Sequence, residues 1–200
     1  MRRLLLGIDT SQSRFDHTNA SECHRMKIST TVPAGERGAF TIGHRDRDAT
    51  LADLPAGAHA LLKNPVTATL ACLNANGTIH QSPVWIDTDG EHILLNTVRG
   101  RAKDRNLRAR PRISLMFTDP TDAYRWMSIQ GHVAAVVDED DPQNGSAATE
   151  SINAMSAKYL GEDVYPLRDQ HTTEIRTLFR IQPIHAVVYD PTEKQASTTS

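Results

Sequence analysis

The sequence predicts a mainly β domain of the α+β class: an antiparallel meander curved toward a barrel, with a few flanking helices. Three observations predict it. Between residues 66 and 137, β-branched and apolar residues alternate with polar ones in a series of short segments. Strong turn tetrapeptides, Asn74-Ala75-Asn76-Gly77 and Asp87-Thr88-Asp89-Gly90, separate the first three segments. The long segment 124–137 carries Gly131, where a strand can bulge or bend, and curved strands close barrels.

Two hundred residues suit one domain with a sizeable core. Apolar residues make up 38% and charged residues 23%, a modest apolar share that predicts a part of the chain outside the packed core. The net charge of -2 argues against general affinity for nucleic acid or for an anionic membrane. Cys23 and Cys72 have neither the spacing of a metal site nor the density of a disulfide scaffold, so a reduced, cytoplasmic protein is expected. Arg2-Arg3-Leu4-Leu5-Leu6 mimics the start of a signal peptide, but Gly7-Ile8-Asp9 ends the apolar run early, and no later run is long enough to span a bilayer.

Residues 1–50 show no sustained period and read as a flexible N-terminal extension, with Met26 as an alternative start of translation. Residues 51–190 read as the folded domain and 191–200 as a disordered tail. Within the domain, 51–62 predict a short helix after Pro55 that buries Ala58, Leu61 and Leu62. Segments 66–73, 78–86 and 91–98 predict a three-stranded meander, 112–119 a fourth strand and 124–137 a fifth. An acidic loop, 138–141, leads to a helix over 147–160 with Ile152, Met155 and Tyr159 on one face, stopped by Gly161. Segments 177–181 and 186–189 predict a last pair of strands.

Between the third and fourth strands lies Asn-Thr-Val-Arg-Gly-Arg-Ala-Lys-Asp-Arg-Asn-Leu-Arg-Ala-Arg-Pro-Arg, residues 96–112. Seven cations, Arg99, Arg101, Lys103, Arg105, Arg108, Arg110 and Arg112, face one acid, Asp104. The pattern predicts a turn at Gly100, a short helix from Arg101 and a stop at Pro111. A strand-to-helix turn offers unpaired backbone N–H groups and the positive end of the helix dipole, which Arg101 and Lys103 reinforce, so a phosphate fits there. A solvated basic helix face is the plainer reading of the same residues, with Arg105, Arg108 and Arg110 turned to solvent and Leu107 as the helix's apolar anchor.

This order of elements, together with HQSPVWIDTDG, LLNTVRGRAKDRNLRARPRISL and WMSIQGHVAAV, resembles the pyridoxamine-phosphate-oxidase-like split-barrel family over residues 57–190. Within it the chain is most similar to the small flavin or deazaflavin (coenzyme F420) oxidoreductases. The resemblance implies a six-stranded antiparallel split barrel that dimerises, with cofactor sites at the subunit interface. It implies that Arg101 and Lys103 pair with the cofactor phosphate, that Asn96 and Thr97 add hydrogen bonds near it, and that Ser82, Pro83, Val84 and Trp85 run beside the ring. Pro83 lacks one backbone donor of that set. The implied function is hydride transfer between bound F420 or FMN and a small organic substrate, with no catalytic side chain and no metal required. A composition rich in Arg, Ala and Asp, and Arg99 and Arg105 as extra cations for an acidic tail, favour the deazaflavin. The residues that oxidation of pyridoxamine phosphate demands cannot be placed in the C-terminal part.

Rival readings attach to the same residues. Trp85 can stack on a ring or fill the barrel, and Tyr124 and Trp126 can serve a dimer contact or a cofactor. His80 and His92 are two histidines without a third ligand, Cys72 suits a core position, and Ser82 lacks the glycines of a nucleophile elbow. A non-enzymatic flavin- or haem-binding carrier or sensor on the same barrel is the main alternative. A nucleic-acid-binding module is disfavoured by the net charge and by the lack of aromatics in the basic segment.

Overall fold

A computed structural model of the protein describes residues 26–33, 40–42, 48–168 and 173–190. The predicted hairpin is present. Strand β4 (Ala68–Leu73) pairs antiparallel with β5 (Ile79–Val84), in the register Leu73↔Ile79 to Ala68↔Val84. The turn between them is closed by Asn74 N–H to Thr78 O at 2.8 Å and by Gly77 N–H to Asn74 O at 3.0 Å. At Trp85 the chain leaves this pairing, and β6 (Ile86–Thr88) pairs instead with β7 (Ile93–Val98). Trp85 is thus the corner at which one continuous segment passes from one side of the sheet to the other.

The sheet is completed by β8 (Arg112–Thr118), β9 (Trp126–Asp138) and β10 (Arg176–Tyr189). Strand β10 is flanked by β9 along its length and by β7 beside its first half, while β8 joins β9 to β4. Counting β5 and β6 as one bent strand, β4 to β10 give the six-stranded antiparallel split barrel that the sequence predicts. Its interior holds Leu70, Ile86, Ile93, Leu95, Leu115, Phe117, Met127, Ile129, Phe179 and Ile181, all fully buried. Each such side chain contributes about 1.5–3 kcal/mol relative to its exposed state. Edge strand β5 pairs only with β4 among the described residues, which is why Pro83 is tolerated there.

Three helices flank the barrel: α1 (Ala56–Lys63), α2 (Ala102–Ala109) and α3 (Ser146–Leu160). Helix α1 buries Ala58, Leu61 and Leu62 as predicted, and α2 anchors itself through Leu107. Helix α3 is locked to the barrel corner by Tyr159, whose hydroxyl donates to Val66 O at 2.9 Å and accepts from Ile86 N–H at 3.1 Å. Lys158 Nζ beside it donates to Ile86 O at 2.8 Å and to Leu62 O. No helix among the described residues is long and apolar enough to cross a membrane.

Two expectations need correction. The segment read as a flexible extension contains β1 (Met26–Pro33), β2 (Phe40–Ile42) and β3 (Asp48–Ala49). Strand β1 lies parallel to the second half of β10, in the register Lys27↔His185 to Thr30↔Val188, and buries Met26 and Ser29. Ser29 Oγ and His185 Nε2 are hydrogen-bonded at 2.8 Å. Strand β1 is flanked by β10 on one side and by β2 and β3 on the other, and its short run, rich in Ser and Thr, leaves little apolar periodicity to read. Residues 1–25 and the tail 191–200 lie outside the described residues. The second correction concerns the last two strands, which are one: β10 runs through Pro183, accommodated by register shifts at Arg180/Ile181 and Pro183/His185. Gly131 faces Pro183 across β9 and β10, and a Cβ there would stand 2.7 Å from Gln182 O, so only glycine allows the approach.

Candidate functional site

The basic segment folds as a turn and a helix because of one buried acid. Gly100 takes φ +83°, a left-handed turn conformation that glycine adopts without cost. Asp104, 2% exposed, accepts Gly100 N–H at 2.8 Å with one oxygen and Arg108 Nε at 2.8 Å with the other. The remaining cations then divide into two groups.

Most are consumed by the fold. Arg99 pairs with Asp138 at 3.0 Å and with Asp140, while Arg108 pairs with Asp138 as well as Asp104. Burial opposes ionisation of Asp138, but hydrogen bonds from Thr177, Arg108 and Arg99 outweigh it and hold its carboxyl below the usual range. Arg110 Nε donates to Leu73 O at 2.8 Å, and Arg105 donates to Gly100 O. Arg105 and Arg108 are exposed, as expected, although each is tied to the fold, and only Arg110 is half-buried. The acidic loop after β9 and nearby carbonyls take the charge that the sequence leaves apparently unmatched. Arg99 is held by two carboxylates, which removes it as an extra cation for a cofactor tail, whereas Arg105, exposed and bonded only to a neutral carbonyl, keeps its charge.

Arg112 is exposed on β8, away from the turn, while Arg101, which meets Glu174 at 3.5 Å, and Lys103 both line a cleft of about 380 Å³ beside the barrel corner. Its walls include Pro83, Val84 and Trp85 at the end of β5, Asn96 and Thr97 on β7, Ile152 and Met155 on α3, and Tyr165 and Arg176. Seven of the eight residues singled out from the sequence are thus brought together, and Ser82 stands off the lining. Lys103 has no carboxylate partner among the described residues. Burial, and then the charge of Arg101, hold its ammonium below the usual lysine range, the signature of a cation without its anion.

Other polar groups in the cleft also want a partner. Thr97, 3% exposed, has a buried Oγ1 without a hydrogen bond, and Arg176, 4% exposed, has a buried Nε in the same state. Asn96 donates its Nδ2 to Ala148 O at 2.8 Å, so its amide orientation is fixed and only its buried Oδ1, an acceptor, remains unused. That oxygen suits an N–H of a ligand rather than a phosphate. Buried polar atoms without partners are costly, and several converging on one cleft beside two cations fit a ligand with an anionic end and a polar ring.

Trp85 stacks on Tyr159, with centroids 5.0 Å apart and planes 8° from parallel, and meets Tyr165 edge-on at 6.0 Å. It serves packing and cleft wall at once. Tyr124 is exposed and Trp126 packs at 6.0 Å from Tyr189, so neither lines the cleft. Cys72 is buried in the core, as expected. His80 lies on β5 and His92 in the bend before β7, two strands that do not pair, and the described residues hold no cluster of three or more metal-ligating side chains. Tyr165, at the start of the segment 165–171 that sequence reasoning tied to substrate choice, and Arg176, which it missed, come from far along the chain. Their only signal is an arginine heading an otherwise apolar strand.

No curated protein sequence matches the chain. Among solved structures, an F420 reductase is similar at a TM-score of 0.55 and 26% identity, covering 66% of this chain and 98% of that one. A conserved hypothetical protein from Mycobacterium tuberculosis is similar at a TM-score of 0.52 and 21% identity, covering 76% and 99%. HutZ, the haem storage protein of Vibrio cholerae, follows at 0.49 and 21%, covering 66% and 92%. The sequence profile described as pyridoxamine 5'-phosphate oxidase matches residues 54–186, most of the chain and the whole of the barrel as far as β10's pairing with β1, and the protein belongs to that family.

Proposed function

We propose that the protein is an oxidoreductase that binds FMN or coenzyme F420 in this cleft and transfers a hydride to or from a small organic substrate, as a homodimer in the cytoplasm. The observation that carries the reading is the meeting of the unpaired Lys103 and the cleft-lining Arg101 with the unpartnered Thr97 Oγ1, Asn96 Oδ1 and Arg176 Nε. When bound, the cofactor supplies the hydride chemistry. The chain's residues bind, orient and exclude water. Arg101 and Lys103 pair with the phosphate, and Thr97 Oγ1 donates to it. Asn96 Oδ1 accepts an N–H from the ring, and the unladdered edge of β5 offers backbone groups at Val84. Trp85, Ile152 and Met155 cover the ring and keep water from it.

The likeness to an F420 reductase supports the deazaflavin over FMN. Arg99, paired with Asp138 and Asp140, contributes nothing to that choice. Dimerisation is supported by an exposed apolar face on β4, β5 and β10, where Leu73, Ile79 and Ile184 line a shallow depression.

Fluorescence titration with each cofactor, followed by mixing the reduced complex with small acceptors, tests the reading. Saturable binding that inorganic phosphate competes away, and reoxidation faster than for free reduced cofactor, is the expected result. Saturable binding with no acceleration for any acceptor indicates a carrier and contradicts the enzymatic part.

A further inference from the structure

Glu174, just before β10, faces the cationic end of the cleft. Its side chain is 13% exposed, with Oε1 3.5 Å from Arg101 Nη2 and Oε2 3.6 Å from Arg176 Nη2. Neither distance is that of a strong hydrogen bond, and Oε2, although buried, has no hydrogen-bond partner. Arg176 is held by other means. Its guanidinium lies over the Tyr165 ring at 4.5 Å, and its backbone is fixed by pairing with Val98 and by donation of its N–H to Glu139 at 3.0 Å.

Glu174 therefore neutralises these arginines without positioning them. We infer that its carboxylate, which borders two of the cleft's cations without lining the cleft itself, is an internal counter-ion that sets both the affinity and the charge selectivity of the cleft. The inference rests on the reading that Arg101 and Lys103 receive a phosphate. Arg101, Lys103 and Arg176 supply three positive charges, and Glu174 cancels one. An incoming anion lies beside the carboxylate, whose repulsion weakens its interaction with the cleft in proportion to its own charge. A phosphate monoester is close to a dianion above its second pKa, near 6, whereas a phosphodiester carries a single charge. Glu174 thus disfavours a terminal phosphate, as in FMN, relative to a diester phosphate, as in the deazaflavin.

The test is calorimetric titration of the full-length protein, wild type and Glu174→Gln, with inorganic phosphate at pH 8 as the dianion and dimethyl phosphate as the monoanion. In the variant, phosphate is expected to bind about tenfold tighter, and dimethyl phosphate, which feels half the charge effect, about threefold. Glu174→Asp keeps the charge and is expected to bind both as the wild type does. Equal or weaker phosphate binding in Glu174→Gln, with wild-type binding intact, overturns the counter-ion role and leaves the phosphate cradle standing. Equal tightening in Glu174→Asp overturns it as well, because geometry and not charge is then at work. Failure of every form to bind phosphate, FMN or F420 overturns the cradle itself.

Discussion

Replacing Asp104 by alanine removes the acid around which the basic turn folds. The side chain is 2% exposed and makes two hydrogen bonds of 2.8 Å, one from Gly100 N–H and one from Arg108 Nε. A hydrogen bond to a charged group contributes about 1.5–3 kcal/mol, so the two together give about 3–6 kcal/mol. Arg108 is 35% exposed and keeps Asp138, so its share falls at the low end, and about 3–4 kcal/mol remains. That is a large part of the roughly 5–15 kcal/mol that stabilises a domain. Asp104→Asn keeps an acceptor for Gly100 N–H while losing the charge, and is expected to cost about half as much. Urea denaturation followed by tryptophan fluorescence measures both, as a lower midpoint at unchanged slope. A loss below about 1 kcal/mol for Asp104→Ala refutes the claim that this carboxylate organises the turn.

Three further outcomes follow from the structure. Gly131→Ala sets a Cβ 2.7 Å from Gln182 O and 2.8 Å from Ile181 Cγ2, and is expected to cost about 1–3 kcal/mol in the same assay; a neutral effect contradicts the close approach. Lys103 has a folded pKa below its ordinary 10.5, so the unfolded chain holds that proton more tightly. Its contribution to stability then rises as pH climbs through the lowered value toward 10.5, and Lys103→Met is expected to flatten this rise. Parallel stability curves for the two proteins between pH 8 and about 11 contradict it. Asp119, held at about 2 by hydrogen bonds from Thr121 and Arg125, stabilises its loop above the ordinary carboxylate range, and this is lost as pH falls toward 2. Asp119→Asn removes that acid dependence, which thermal melts between pH 2 and about 5 detect; an unchanged dependence assigns it to other carboxylates.

The strands β4 to β9 and helices α2 and α3 were legible because each is local: alternation, turn residues and a stop glycine or proline lie within one short segment. Of the cleft, Arg101 and Lys103 were legible from the local turn-to-helix pattern, whereas Pro83 to Trp85, Asn96 and Thr97 came only from the resemblance to the split-barrel family. What was not legible depends on distant pairing. The basic segment and the acidic loop were both visible, but that Asp138 and Asp140 consume Arg99 and Arg108 follows only from β9 ending beside α2. Tyr165 and Arg176 reach the cleft, and Glu174 reaches two of its arginines, from the far end of the chain. Strand β10 was divided in two because Pro183 interrupts the apolar run, and β1 was missed because its short run, rich in Ser and Thr, carries little apolar alternation.

The most direct measurement is equilibrium binding of FMN and of coenzyme F420 to the wild-type protein and to an Arg101→Ala, Lys103→Ala double variant. The account predicts saturable binding of at least one cofactor to the wild type, weakened by about two orders of magnitude or more when both charge-assisted contacts are removed. Equal binding to the two proteins, or no binding of either cofactor to the wild type, contradicts it.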